Sequence, residues 1–121
     1  MSEQDDGEVA HLEKFDAPNR SHVATFETDE LTALCPFDFG GPDHYQLILR
    51  YEPADVEIES KSLKQYLEAF RSREITAEAL AVEIADDVEQ TIAPERLYIR
   101  LEQARRGGIE ETVEVGDVDL R

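Results

Sequence analysis

The strongest constraint on the fold is a change of hydrophobic period along the chain. Between residues 44 and 52 the period is two: Tyr45, Leu47, Leu49 and Tyr51 share one face of an extended segment, and Gln46, Ile48 and Arg50 take the other. From residue 60 the period lengthens. Leu63, Tyr66, Leu67 and Phe70 recur at helical spacing, and Leu80, Ile84 and Val88 form a second helical stripe. Period two then returns at 96–104, with Leu97, Ile99 and Leu101 on one face. An earlier strand is predicted at about 21–31, where Val23, Thr25 and Glu27 alternate with Ala24, Phe26 and Thr28. The stretch 32–43, punctuated by Pro36, Gly40, Gly41 and Pro42, reads as a loop. Helices are predicted over 60–72, capped by Ser60 or Ser62, and over 77–91, capped by Thr76. A last strand, 109–116, follows the turn Arg106-Gly107-Gly108.

The resulting order is β-β-α-α-β-β, an α+β fold in which four antiparallel strands carry two helices on one face. An open sheet of this kind leaves strand edges unpaired, so pairing between subunits is expected. Residues 1–20 are polar and acidic and read as a mobile tail before a single domain at 21–121. A chain of 121 residues suffices for one such core and not for two.

Charge sets the surroundings. There are 29 acidic and 12 basic residues, a net charge of −17, and only three lysines: Lys14, Lys61 and Lys64. Such a surface suits a halophilic milieu, where salt screens self-repulsion, and argues against broad nucleic-acid binding, which needs a basic footprint. No apolar run is long enough to cross a bilayer, and the first thirty residues contain no secretory leader, so a soluble, cytoplasmic protein is expected. The one cysteine excludes an intrachain disulfide and a thiolate zinc site. His11, His22 and His44 lack metal-ligand spacing, and no metal is expected.

Five places carry candidate chemistry. Cys35 lies in the loop beside Pro36. A lone cysteine is more commonly a small buried hydrophobe, but a thiol whose loop favours the thiolate is a strong nucleophile. Asp43 opens the next strand. It is either a solvated turn residue or a carboxyl that desolvation keeps protonated beside the thiol, able to deliver a proton. Two of the three lysines, Lys61 and Lys64, fall in the first turns of one helix, where the dipole disfavours cations. Either they are solvated, or with the free N–H groups there they build a site for a phosphate. Glu78 in the next helix either complements the dipole or accepts N–H bonds from a guanine-like edge. Arg106 and Gly107 form a hairpin turn that could also reach a phosphate.

Taken together, Leu34-Cys35-Pro36, Gly41-Pro42-Asp43, Glu59-Ser60-Lys61-Ser62-Leu63-Lys64 with Tyr66, and Arg106-Gly107-Gly108 resemble the 7-cyano-7-deazaguanine reductases, the QueF family, over about residues 25–109. The resemblance implies a tunnelling fold (T-fold), with a homo-oligomer of two stacked pentamers and active sites between subunits. It implies that Cys35 attacks a nitrile to give a thioimide, with Asp43 as proton donor and NADPH as the reductant, in queuosine-type tRNA modification. Ile58, Glu59, Ser60 and Glu78 would hold the 7-deazapurine substrate; Ser60, Lys61, Lys64, Arg106 and Gly107 would hold the cofactor. Three positions depart from the family pattern. Ala77 stands where a histidine precedes the glutamate, with His44 available to compensate. The Cys35–Asp43 stretch is one residue longer, and Gln65 replaces an apolar or aromatic residue.

Two alternatives remain open on the sequence. A QueF-like branch adds ammonia to the nitrile of the base already in tRNA, forming archaeosine, although that branch lacks the cofactor signature seen in Lys61 and Lys64. The other is a non-catalytic ring-forming module in which Cys35 is only packed.

Overall fold

A computed structural model describes residues 9–37 and 42–121. The elements are β1 (Lys14–Asp16), β2 (Ala24–Leu34), β3 (Pro42–Glu52), β4 (Val56–Ile58), α1 (Ser60–Glu68), a 3-10 turn (Ala69–Ser72), α2 (Ala77–Ile92), β5 (Arg96–Arg106), β6 (Ile109–Gly116) and a final 3-10 turn (Val118–Leu120). Four strands form one antiparallel sheet in the order β2-β3-β5-β6, and β1 pairs with β4 in a separate two-stranded sheet. The α+β architecture expected from the periodicities is the one observed.

The period-two faces explain the layering. Tyr45, Leu47, Leu49 and Tyr51 of β3 and Leu97, Ile99 and Leu101 of β5 are buried on one side of the sheet. Leu80, Ile84 and Val88 of α2 and Leu63, Tyr66 and Leu67 of α1 complete that core. Each such side chain contributes about 1.5–3 kcal/mol by leaving water. On the opposite face, Tyr98 is also buried: its hydroxyl donates to Glu114. The C-terminal turn reaches the same face, where Arg50 donates to the Leu120 carbonyl.

Several boundaries differ from the sequence reading, each for a local reason. The segment expected to be a tail supplies β1, and Leu12 joins the core. The Ser62 hydroxyl holds that segment down by accepting from the Glu13 N–H. The cap of α1 is neither Ser60 nor Ser62 but Glu59, whose carboxylate accepts from the N–H groups of Lys61 and Ser62 at 2.9 and 2.8 Å. The helix expected to reach residue 72 tightens into a 3-10 turn at Ala69. The chain must leave the helix there because Arg73–Ile75 lie beside the end of β2. The Leu34 N–H donates to the Arg73 carbonyl, and the Ile75 N–H donates to the Leu34 carbonyl. Thr76 caps α2 as expected, accepting from the Ala79 N–H.

Two irregularities aim side chains. In β2 the register shifts between Thr28 and Leu31, so Ala24 and Phe26 upstream, and Leu31 and Ala33 downstream, all face the core. In β5 it shifts between Gln103 and Arg106. Without that extra residue Arg105 would share the face of Leu101 and Gln103. With it, Arg106 does.

Candidate active site

The shift in β5 and the bridge at residues 73–75 meet at one end of the sheet. There the end of β2, the start of β3, the β5–β6 turn and the N-terminus of α2 enclose a cavity of about 450 Å³. Its walls include Cys35, Asp43, Glu78, Arg106 and Gly107, so five of the residues singled out from sequence share one space. Leu34 is pinned to Arg73 and Ile75, which sets Cys35 beside Thr76 and the positive end of the α2 dipole.

Cys35 is free and partly accessible, and its sulfur accepts the Phe37 N–H at 3.4 Å. It is not packed away in hydrocarbon. Asp43 is buried, at 5% exposure, on the face of β3 that carries Tyr45 and Leu47. The Arg106 guanidinium forms an ion pair with it. That corrects the picture of a carboxyl isolated by burial, since a cation is bound to it. The guanidinium also hydrogen-bonds toward the Cys35 sulfur, and its pKa is raised first by Asp43 and then by Cys35. Arg106 therefore joins nucleophile and carboxyl, rather than serving only as a turn.

Glu78 is exposed in the first turn of α2 and hydrogen-bonds to Glu111 of β6. That contact is the main cause holding Glu78 below the usual carboxylate range, helped by its own backbone N–H and Thr76. Glu111 is pushed up, first by the same contact and then by burial and by the charge of Glu78. The sequence analysis did not single out Glu111. A signal existed: it falls in the phase of Val113 and Val115, the face of β6 packed against the core, where a carboxylate is out of place. Ala77, at the position of the family histidine, lies on the wall. His44 does not stand in for it. It alternates with the buried Asp43 and Tyr45 and so projects from the other face of the sheet.

The remaining predicted residues lie elsewhere. Residue 51 at the far end of β3 is eight positions from Asp43, roughly 25 Å along an extended strand. There the Tyr51 hydroxyl accepts the Ile58 N–H. Ile58 is 2% exposed, so its side chain belongs to the core and only its backbone can meet a ligand. Glu59 is lowered from its ordinary pKa by the Lys61 and Ser62 N–H groups. Those N–H groups are thus taken by the protein's own carboxylate, which corrects the expectation that they are free for a phosphate. Ser60, Lys61 and Lys64 are exposed, the two lysines at i, i+3 on one side of α1. Among the described residues neither ammonium forms an ion pair with a side chain. Gly41 and the added residue of the Cys35–Asp43 stretch fall in or beside 38–41, outside the described residues. No group of metal-ligating side chains occurs among the described residues, and no helix there is long and apolar enough to cross a membrane.

Comparison with known proteins decides the family. The family described as QueF-like protein matches residues 42–119, more than half of the chain. The chain belongs to the QueF family. It is 41% identical over 96 residues to the NADPH-dependent 7-cyano-7-deazaguanine reductase of Anaeromyxobacter sp. (strain Fw109-5), covering 79% of this chain and 78% of that one. It is 36% identical over 106 residues to the protein of the same name from Chlorobium chlorochromatii (strain CaD3), covering 86% and 90%. Among solved structures, the apo form of the archaeosine synthase QueF-Like superposes with a TM-score of 0.72 at 21% identity, covering 78% of this chain and 92% of that one. That likeness supports the T-fold for this QueF chain.

Proposed function

We propose that this chain is an NADPH-dependent nitrile reductase that converts 7-cyano-7-deazaguanine to 7-aminomethyl-7-deazaguanine. The observation that carries the reading is the meeting of an accessible Cys35 thiol with the Asp43–Arg106 pair in one cavity. The Cys35 sulfur bonds to the nitrile carbon while the Asp43 carboxylate, ion-paired to Arg106, accepts the thiol proton; one π bond of the nitrile opens onto nitrogen, and Asp43 hands that proton on to it. Arg106 holds the Asp43 carboxyl in place and sets a positive charge beside the sulfur. Cys35 leaves again as the carbon is reduced, so the thiol is regenerated. Phe37, exposed at the rim, offers an aromatic face to a planar base.

Each NADPH, when bound, would supply one hydride, so two molecules in succession, with two protons, carry a nitrile to a primary amine. The pair Lys61 and Lys64 fits the extra phosphate of that cofactor, since the two ammonium groups are exposed on one side of α1 and, among the described residues, neither forms an ion pair with a side chain. Ser60 stands beside them, and Arg106 and Gly107 would meet the cofactor from the cavity side. The Ile58–Lys64 segment lies toward the opposite end of β3 from the cavity. A complete site therefore takes the cavity from one subunit and that segment from a neighbour. Among the described residues, edge strands β2 and β6 have no partner on their outer sides and are suited to joining subunits into a ring, as in the stacked pentamers of the family.

Loss of NADPH absorbance on adding 7-cyano-7-deazaguanine tests the reading. Two cofactor molecules consumed per nitrile support the reductase. Product formation that requires ammonia and oxidises no cofactor would replace it with the archaeosine-type reaction, and no covalent adduct at all would leave a non-catalytic module.

A further inference from the structure

The cavity holds two carboxyls that the chemistry above does not use. Glu111 reaches the wall from β6, and Glu78 reaches it from the first turn of α2, and the two are hydrogen-bonded to each other. Two carboxyl groups in direct contact must share a proton, because two adjacent anions repel. Behind the same wall lies a second unfinished group. The Tyr45 residue is 2% exposed, and its hydroxyl is the one buried side-chain polar atom among the described residues without a hydrogen-bond partner. Burial first, and then the negative groups Asp43, Glu111, Cys35 and Glu78, raise its pKa. Those four groups all line the cavity, so the unspent donor lies behind its wall.

We propose that Glu111 is a specificity-determining residue of this cavity, forming with Glu78 a two-carboxyl clamp that accepts the ring N–H and the exocyclic amine of a 2-amino-6-oxo deazapurine. The inference rests on the proposed function and deepens it. One carboxylate can accept both donors from a single base edge. A second carboxyl lets each donor have its own acceptor, so the clamp discriminates against a base that lacks the amine. The bound base then replaces the carboxyl–carboxyl contact with bonds to its own N–H groups. Glu111 plays no part in forming the thioimide, so its effect falls on half-saturation and not on the maximal rate.

The test follows adduct formation at Cys35 by intact-protein mass spectrometry over a range of ligand concentrations. Wild-type protein, Glu111→Ala and Glu111→Gln are each given 7-cyano-7-deazaguanine and its analogue without the exocyclic amine. Glu111→Ala is expected to raise the half-saturating concentration of the full base by about 10- to 100-fold, the loss typical of a hydrogen bond to a charged group. The maximal rate and the half-saturation for the analogue should hardly change. Glu111→Gln, nearly isosteric, keeps an acceptor and is expected to fall between, and it carries the test if the alanine variant does not fold. If both variants leave discrimination between the two ligands at the wild-type level while wild type forms the adduct, the role of Glu111 is overturned and the proposed function stands. If wild type forms no adduct with either ligand, both are overturned.

Discussion

Arg106 and Asp43 are 63 positions apart in sequence and form an ion pair on the cavity wall, with the Asp43 side chain 6% exposed and that of Arg106 29% exposed. The irregularity in β5 makes the pairing possible. In a regular strand Arg105 would take the inward position and Arg106 would face away from Asp43. One extra residue in an edge-proximal strand thus assembles the group next to the nucleophile.

Arg106→Ala should slow thioimide formation on the order of 10²-fold, the scale of a misplaced reacting group. Asp43→Asn, which keeps the shape and removes the acid–base function, should cost about 10²–10⁴-fold in turnover. Adduct appearance followed by mass, together with cofactor oxidation for turnover, separates the two steps. An Arg106→Ala variant with wild-type adduct kinetics would show that the pair is structural only.

The stability of the β4 region should depend on pH through His22. Its Nε2 faces the Glu57 carboxylate at 2.7 Å and its Nδ1 faces the Arg20 carbonyl at 2.8 Å. Both partners are acceptors, so only the doubly protonated ring satisfies both. The Arg20 carbonyl first and then Glu57 raise its pKa from 6.5. A folded-state pKa above the unfolded one gives stability that is fully present below about 6.5 and fades as pH rises through the folded value. The difference in melting temperature between wild type and His22→Ala should therefore shrink as pH rises above about 6.5. A constant difference would mean that the ring contributes by packing alone.

Two backbone positions make opposite predictions. Gly116 has φ +99°, and a Cβ there would lie 2.3 Å from the Leu97 carbonyl oxygen. Gly116→Ala should destabilise by about 1–3 kcal/mol, because that oxygen belongs to backbone and cannot step aside. Ala93 ends α2 in the left-handed conformation, at φ 41° and ψ 60°, just before Pro94. Glycine has no Cβ penalty there, so Ala93→Gly should stabilise by about 0.5–1 kcal/mol. Urea titrations of both variants check the signs.

With a net charge of −17, the folded chain repels itself. Raising KCl from 0.1 M to 1 M shortens the screening length from about 10 Å to about 3 Å and should raise the melting temperature. A melting temperature that is flat or falls over that range would show that the acidic surface carries no salt adaptation.

The sequence made the four long strands and both helices visible because each has one buried face and one wet face, which is what periodicity reports. It also marked Cys35, Asp43, Glu78, Arg106 and Gly107, which the fold gathers into one cavity. What it hid depends on partners distant in the chain. Lys14–Asp16 is too short and too exposed to show a period and is ordered by Val56–Ile58. Glu59 caps α1 only because its carboxylate turns back onto two N–H groups, a role that serine usually fills. The shifts in β2 and β5 break alternation, and so truncate both strands in any reading by period. Glu111 acquires meaning only when β6 packs against the first turn of α2.

The most direct test of the account is the mass of the protein after incubation with 7-cyano-7-deazaguanine in the absence of cofactor. Addition of a thiol across a nitrile expels nothing, so the account predicts a gain equal to the whole ligand, mapped to Cys35 and absent in Cys35→Ala. An unchanged mass in folded wild-type protein, or a gain that survives in Cys35→Ala, would contradict it.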